Sequence, residues 1–99
     1  MEKQLYQFNF PNLTKQQYDQ VWDEVRKTGH SNPAGLIHHV SAFQNKQCFV
    51  VDIWESTEAF DRYSKILIPI FERLGVRMVT PTISPVHFEY SGVEAHITH

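Results

Sequence analysis

The chain has 99 residues, of which 41% are hydrophobic and 20% charged, and its net charge is -2. This composition is typical of one folded domain, and we expect a single domain over residues 1–99. The chain has no run of basic residues for nucleic acid and no apolar stretch of roughly 20 residues that could cross a bilayer. It also lacks the apolar region of a signal peptide, so we expect no nucleic-acid or membrane partner and a cytoplasmic protein.

The first third of the chain predicts a strand followed by a helix. The aromatic-rich segment 4–10 predicts a strand that ends at Pro11, because proline has no amide hydrogen to donate. Thr14 and Gln17 have the spacing of a capping box, which indicates a helix start. The helix should end at Gly29, and its apolar stripe is formed by Tyr18, Val21, Trp22 and Val25.

The remainder predicts a hairpin, a second helix and a last strand. Residues 35–43 and 47–54 have strand character and are separated by a short polar turn. A second helix should begin at Ser56 and end at Gly75, with either a kink or a break at Pro69. We expect the last strand to begin at Val86 and to end at Tyr90.

The order of elements predicts a ferredoxin-like α+β domain, βαββαβ, with two helices on one face of a four-stranded antiparallel sheet. The segment 48–54 is apolar at both odd and even positions, so both faces of that strand need cover. Since the helices cover one face only, we expect a homodimer in which the sheets of two copies pack together. The alternative is that this strand is simply central. Cys48 lies in the same segment and is expected to be a buried, reduced thiol.

Three segments of the sequence resemble one protein family: 18–21, 35–40 and above all 52–60, which contains W-x-S-x-x-A-F. They are similar to the antibiotic-biosynthesis-monooxygenase-like group of the dimeric α+β barrel proteins. In that group the W-x-S-x-x-A-F segment ends the third strand and caps the second helix. The resemblance implies that two sheets form one barrel in the dimer, with a pocket in each protomer between sheet and helices.

Activities within this superfamily differ widely. Some members oxidise polycyclic phenols or quinols without metal or flavin, because the deprotonated substrate itself reduces oxygen, whereas others degrade haem, isomerise lactones or have no established reaction. The haem-degrading branch relies on a Trp and a His of the second helix. Tyr63 stands at the Trp position here and the helix has no His, so the resemblance implies no haem and no other cofactor.

One pair of residues could carry acid–base chemistry. If the hairpin loop has two or four residues, His39 lies opposite Asp52 and Ile37 lies opposite Trp54, whereas a loop of odd length breaks this register. A carboxylate that faces an imidazole can orient it as a general base, with Trp54 as an apolar wall. We therefore expect His39 and Asp52 to be the catalytic residues. The alternative is that they satisfy each other within a dimer interface, with Trp54 in the core.

Other residues are candidates for binding. Aromatic side chains sufficient to line a pocket for a small hydrophobic or aromatic ligand, although equally suited to a plain core, are Trp54, Tyr63, Tyr6, Phe60 and Trp22. His87 should lie in the last strand, at the opposite sheet edge from His39, so the two could meet only across a dimer as an intersubunit site. Glu94, His96 and His99 lack the spacing of a metal motif, and we expect no metal.

The function predicted from these observations is that of a cofactor-independent monooxygenase acting on a small aromatic or quinone-like molecule. One alternative is a non-catalytic ligand-binding or stress-related protein of the same fold. Another is an isomerase or lyase, which would turn over its substrate without oxygen.

Overall fold

The computed structural model describes residues 2–90 and 92. The order of its elements is β1 (Gln4–Pro11), α1 (Lys15–Lys27), β2 (Leu36–Gln44), β3 (Gln47–Trp54), α2 (Thr57–Arg73) and β4 (Thr82–Pro85). The strands form one antiparallel sheet in the order β2-β3-β1-β4. This arrangement confirms the predicted ferredoxin-like α+β fold. None of the helices in the described part of the chain is long and apolar enough to cross a membrane.

The core lies between one face of the sheet and the two helices. Alternate residues of β1, namely Tyr6, Phe8 and Phe10, are buried and their rings follow one another along the strand. They belong to the same buried cluster as Val25 of α1 and Ile70 of α2. Alternation of this kind places every second residue of a strand on the other face, which the helices do not cover.

The start of α1 is as predicted. The hydroxyl oxygen of Thr14 accepts a hydrogen bond from the backbone N–H of Gln17, at 3.0 Å. The Gln17 side chain in turn accepts the backbone N–H of Thr14, at 3.0 Å. This reciprocal capping box satisfies two amides that the first helical turn leaves without partners.

Pro69 does not divide the second helix. The helix is continuous from Thr57 to Arg73, so the break that was one of two expected outcomes does not occur. Proline removes one backbone hydrogen bond, but Ile70 and Phe71 directly after it are buried in the core. Packing of this buried turn offsets the loss and holds the helix together.

The last strand is not where the sequence predicted it. The strand β4 covers Thr82–Pro85 and pairs with the first half of β1, so the predicted strand over residues 86–90 is wrong. An edge strand tolerates a proline at its end, and a strand of four exposed residues shows no burial pattern. Beyond it, Phe88 and Tyr90 are exposed and lie outside the sheet.

The β2–β3 hairpin closes through a loop of two residues. Asn45 and Lys46 both have positive φ angles, 51° and 63°, as a type I′ turn requires. The resulting register places His39 opposite Asp52, whereas a β-bulge between Leu36 and His38 shifts the start of β2. The expected pairing of Ile37 with Trp54 is therefore wrong, because Leu36 takes that place.

Cys48 lies on β3 within the core and has no exposed surface. Burial raises the pKa of its thiol above the ordinary value, which disfavours the reactive thiolate. The expectation of a buried structural cysteine is confirmed.

Candidate functional site

His39 and Asp52 meet on the face of the sheet that the helices cover. The distance from His39 Nδ1 to Asp52 Oδ1 is 2.6 Å, and Trp54 Nε1 donates to Asp52 Oδ2 at 3.2 Å. Asp52 is 7% exposed. Both oxygens of this buried carboxylate therefore have a donor, and the hairpin register alone brings the three residues together.

The second ring nitrogen of His39 also has a partner, which the sequence did not reveal. The hydroxyl oxygen of Tyr18 lies 2.7 Å from His39 Nε2. Because an ionised carboxylate only accepts, the Nδ1 proton belongs to the bond with Asp52, and in the neutral ring Nε2 accepts the Tyr18 proton. The result is a continuous chain of hydrogen bonds from Asp52 through His39 to Tyr18.

Aromatic residues of α1 hold the imidazole in place. The Trp22 ring stands edge-on to the His39 ring with a centroid distance of 5.2 Å, and the Tyr18 ring lies nearly parallel to it at 6.2 Å. The His39 side chain remains 23% exposed. The first two turns of α1 thus cover His39 without sealing it from solvent.

A cavity lies between the sheet and the two helices and reaches this chain of hydrogen bonds. Its volume is about 70 Å³, and it opens to solvent. Tyr18, His39 and Asp52 contribute to its wall, and most of the other lining residues are apolar. This volume is smaller than the roughly 300–1,000 Å³ of pockets that bind small molecules, so a ligand with an aromatic ring requires the side chains of the wall to move apart.

Four of the five aromatic residues predicted to line a pocket lie in the wall of this cavity: Trp22, Trp54, Phe60 and Tyr63. Tyr6 does not. Its ring packs behind the wall against Phe60, with a centroid distance of 4.4 Å, and is 1% exposed. The structure therefore places Tyr6 in the core rather than in the pocket.

Tyr63 of α2 is a second feature that only the structure shows. Its ring contacts Trp54 at a centroid distance of 5.6 Å, and its buried hydroxyl has no hydrogen-bond partner among the described residues. Burial, with a smaller contribution from the negative charge of Asp52, raises the pKa of Tyr63 to about 12. Tyr63 is therefore a neutral hydrogen-bond donor at any physiological pH.

The other histidines of the described residues lie away from this chain of hydrogen bonds. His38 is on the opposite face of the sheet, and its Nε2 lies 2.7 Å from Glu89 Oε2. His87 follows β4 instead of lying in a strand, and within the described part of the chain no hydrogen bond joins it to His39. An intersubunit role for His87 stays a prediction.

The potential metal-ligating side chains do not cluster in the described part of the chain. Among residues 2–90 and 92, no three side chains of His, Cys, Asp or Glu form a group that could hold a metal ion. Glu94, His96 and His99 lie outside the described residues.

Comparisons with known proteins yield matches of fold only. No family model and no curated protein sequence matches the chain. Among solved structures, a structural-genomics protein called YjcS has a TM-score of 0.60 and 14% identity, covering 86% of this chain and 99% of its own. A protein from Chloroflexus aurantiacus J-10-fl, provisionally described as an antibiotic biosynthesis monooxygenase, has a TM-score of 0.57 and 11% identity, covering 90% and 97%.

Both structures match over nearly their full length, with the same arrangement of sheet and helices. Identities this low carry the fold but no activity. The chain therefore has the α+β fold of these two structures, one of which is provisionally described as an antibiotic biosynthesis monooxygenase.

Proposed function

We propose that this protein is a cofactor-independent monooxygenase whose substrate is a small phenol-like or quinol-like aromatic molecule. The observation that carries the proposal is the Asp52–His39–Tyr18 chain of hydrogen bonds in the wall of an apolar cavity. A buried carboxylate that orients an imidazole is the usual arrangement of a general base. The apolar walls suit a flat aromatic ring.

In this proposal the base removes the proton of the substrate hydroxyl by way of Tyr18. Tyr18 passes its own proton to His39 Nε2 and takes the proton of the substrate, while Asp52 stabilises the imidazolium that forms. The electron-rich anion then reduces oxygen. One oxygen atom becomes a carbonyl at a ring carbon that bears hydrogen, while the hydroxyl oxygen becomes the second carbonyl of the quinone. The other oxygen atom leaves as water with the hydrogen of that carbon and the proton of the hydroxyl.

Oxygen uptake by the purified protein tests this function. We expect uptake with hydroxyanthrones or hydroxynaphthalenes in the presence of a metal chelator, and one carbonyl oxygen derived from ¹⁸O₂ per oxygen molecule consumed. If compounds bind in the cavity and yet none raises oxygen uptake above the protein-free rate, the monooxygenase proposal fails.

The role of Tyr18 leads to a prediction of its own. Tyr18→Phe removes the hydroxyl from the proton path but keeps the ring against Phe43, which Tyr18 contacts edge-on at 6.0 Å. We expect kcat to fall about 100-fold with little change in KM. Tyr90→Phe, the same change at an 83% exposed residue, is the matched control. Unchanged kcat in Tyr18→Phe would mean that the substrate meets His39 directly.

We further propose that the protein is a homodimer in the cytoplasm, with the uncovered sheet face as the interface between copies. That face exposes Val40 by 61% and Phe49 by 37%, and Val51 and Ile53 lie beside them. A contiguous apolar patch on a sheet commonly marks an interaction surface.

Introducing a charge at this surface tests the dimer. Val40→Glu should raise the dimer dissociation constant roughly 30-fold or more, because a carboxylate would be buried without a partner. Ile68→Glu on α2 is the control, since Ile68 is 43% exposed on a helix. Light scattering over a dilution series measures both. A chain that is monomeric before any substitution contradicts the proposal.

One observation favours a second candidate, a protein that binds a small aromatic ligand without turnover. Both nitrogens of His39 are hydrogen-bonded within the protein, which also suits a purely structural histidine. A binding protein would be stabilised by the ligand with no product formed. An isomerase or lyase of this fold would form product under argon. Measuring product with and without oxygen therefore separates the oxygenase, the binding protein and the isomerase or lyase.

A further inference from the structure

The hydroxyl of Tyr63 is a buried donor without an acceptor. Tyr63 is 7% exposed, and its hydroxyl oxygen contacts neither solvent nor any hydrogen-bond acceptor of residues 2–90 and 92. Buried polar groups in folded proteins almost always have a partner, because an unmade hydrogen bond destabilises the fold. An exception therefore needs a physical reason.

Nothing close to Tyr63 can serve as that partner. The charge of Asp52 acts on Tyr63, but Asp52 forms no hydrogen bond with it, and the Asp52 oxygens accept from His39 and from Trp54. Most other residues of the cavity wall that includes Tyr63 are apolar, such as Phe60 and Leu67 of α2. The missing acceptor must come from outside the described chain.

The position of Tyr63 indicates where such an acceptor would sit. Tyr18 and Tyr63 belong to different helices, α1 and α2, and both line the cavity. A ligand between the two helices would thus meet the His39–Tyr18 pair on one side and the Tyr63 hydroxyl on the other. Tyr63 is protonated at neutral pH, so it can donate but is poorly suited to act as a base.

We propose that the Tyr63 hydroxyl binds a carbonyl oxygen of the ligand, so that the protein selects hydroxylated aromatic ketones over phenols that lack the ketone. This inference rests on the cavity being the ligand site, as proposed above. The ligand hydroxyl lies at Tyr18 and His39, and its carbonyl lies at Tyr63. A small shift of the Tyr63 ring towards the cavity brings its hydroxyl, closed off in the unliganded protein, against the carbonyl.

Selection of this kind follows from the unpaired donor. A ligand with a carbonyl completes the hydrogen bond, whereas a ligand without one leaves the donor unpaired in an apolar site. We expect the ketone to bind about tenfold more tightly than the same molecule without its carbonyl oxygen.

The experiment compares two matched ligands and three proteins. The ligands are a hydroxytetralone and the tetrahydronaphthol that differs from it only by the absence of the ketone oxygen. Calorimetry measures both dissociation constants for the unmodified chain, for Tyr63→Phe and for Tyr6→Phe, a control at a buried tyrosine outside the cavity wall. We expect Tyr63→Phe alone to abolish the preference for the ketone, by weakening ketone binding about tenfold.

Stability of the unliganded protein provides a second readout. Because the Tyr63 hydroxyl has no partner, Tyr63→Phe should leave the thermal unfolding temperature unchanged or raise it, which a structural hydrogen bond would not allow. A lower unfolding temperature would overturn the inference. So would a ketone preference that persists in Tyr63→Phe, or no binding of either ligand to the unmodified chain.

These measurements require no turnover, so they separate the inference from the oxygenase proposal. A Tyr63-dependent ketone preference without oxygen uptake keeps the inference and removes the oxygenase. Oxygen uptake with equal affinity for both ligands keeps the oxygenase proposal and removes the inference about Tyr63.

Discussion

Replacing His39 with alanine is expected to lower kcat for a phenolic substrate about 10²–10⁴-fold, which is the usual contribution of a positioned general base. The side chain is hydrogen-bonded to Asp52 at 2.6 Å and to Tyr18 at 2.7 Å, so its removal interrupts the proton path at its centre. Steady-state oxygen uptake with a saturating substrate measures the change.

A comparison within the same chain shows whether the effect is specific. His30→Ala is the control, because His30 lies in an exposed loop and, among the described residues, its side chain hydrogen-bonds only the nearby Thr28 hydroxyl. The His39 variant leaves Asp52 with one donor fewer, so its unfolding has to be followed alongside its activity. A folded His39→Ala protein that keeps more than about a third of the original kcat would rule out His39 as the base.

Gly35→Ala is expected to be the most destabilising small substitution in the chain, by about 2–5 kcal/mol. Gly35 has a φ of +93°, which L-residues rarely adopt, and an added Cβ would lie 2.5 Å from the Cβ of Ala59 on α2. Its carbonyl also accepts the backbone N–H of Glu55 at 2.8 Å, which fixes its position. Neither the strain nor the clash can relax without moving the second helix.

Gly29→Ala separates the backbone strain from the steric clash with Ala59. Gly29 has a φ of +80°, but no atom lies within 4 Å of where its Cβ would be. In this variant only the strain of the left-handed conformation should lower the free energy of unfolding, by about 1–2 kcal/mol. Urea unfolding gives both values. Equal losses at the two glycines would show that Ala59 does not press on Gly35, and hence that α2 packs more loosely against the start of β2.

Local signals in the sequence were sufficient for most of the fold. The capping box at Thr14 acts within a few residues, so the start of α1 follows from it. The predicted hairpin register depended on the length of the loop, and the two-residue turn at Asn45 and Lys46 in the structure decides it. The strand β4, which was predicted at the wrong place, has no such local signal. Its four residues are exposed and lie at a sheet edge, so no burial pattern distinguishes them from a loop.

The candidate site was predictable from the sequence only in its strand residues. His39 and Asp52 are brought together by the hairpin, and only the bulge beside Leu36 went unforeseen. The contacts of Tyr18 and Tyr63 depend on where each helix packs against the sheet. Their spacing along the helices indicates a buried stripe, but it does not tell which hydroxyl meets an imidazole and which is left without a partner.

The most direct test of this account is a crystal structure of the protein with a bound hydroxytetralone. We predict that the ligand lies between the sheet and the two helices, with its hydroxyl hydrogen-bonded at Tyr18 or His39 and its carbonyl accepting from Tyr63. A ligand bound elsewhere, or a cavity closed by its own side chains, would contradict the central claim that this chain of hydrogen bonds acts on a molecule held inside the protomer.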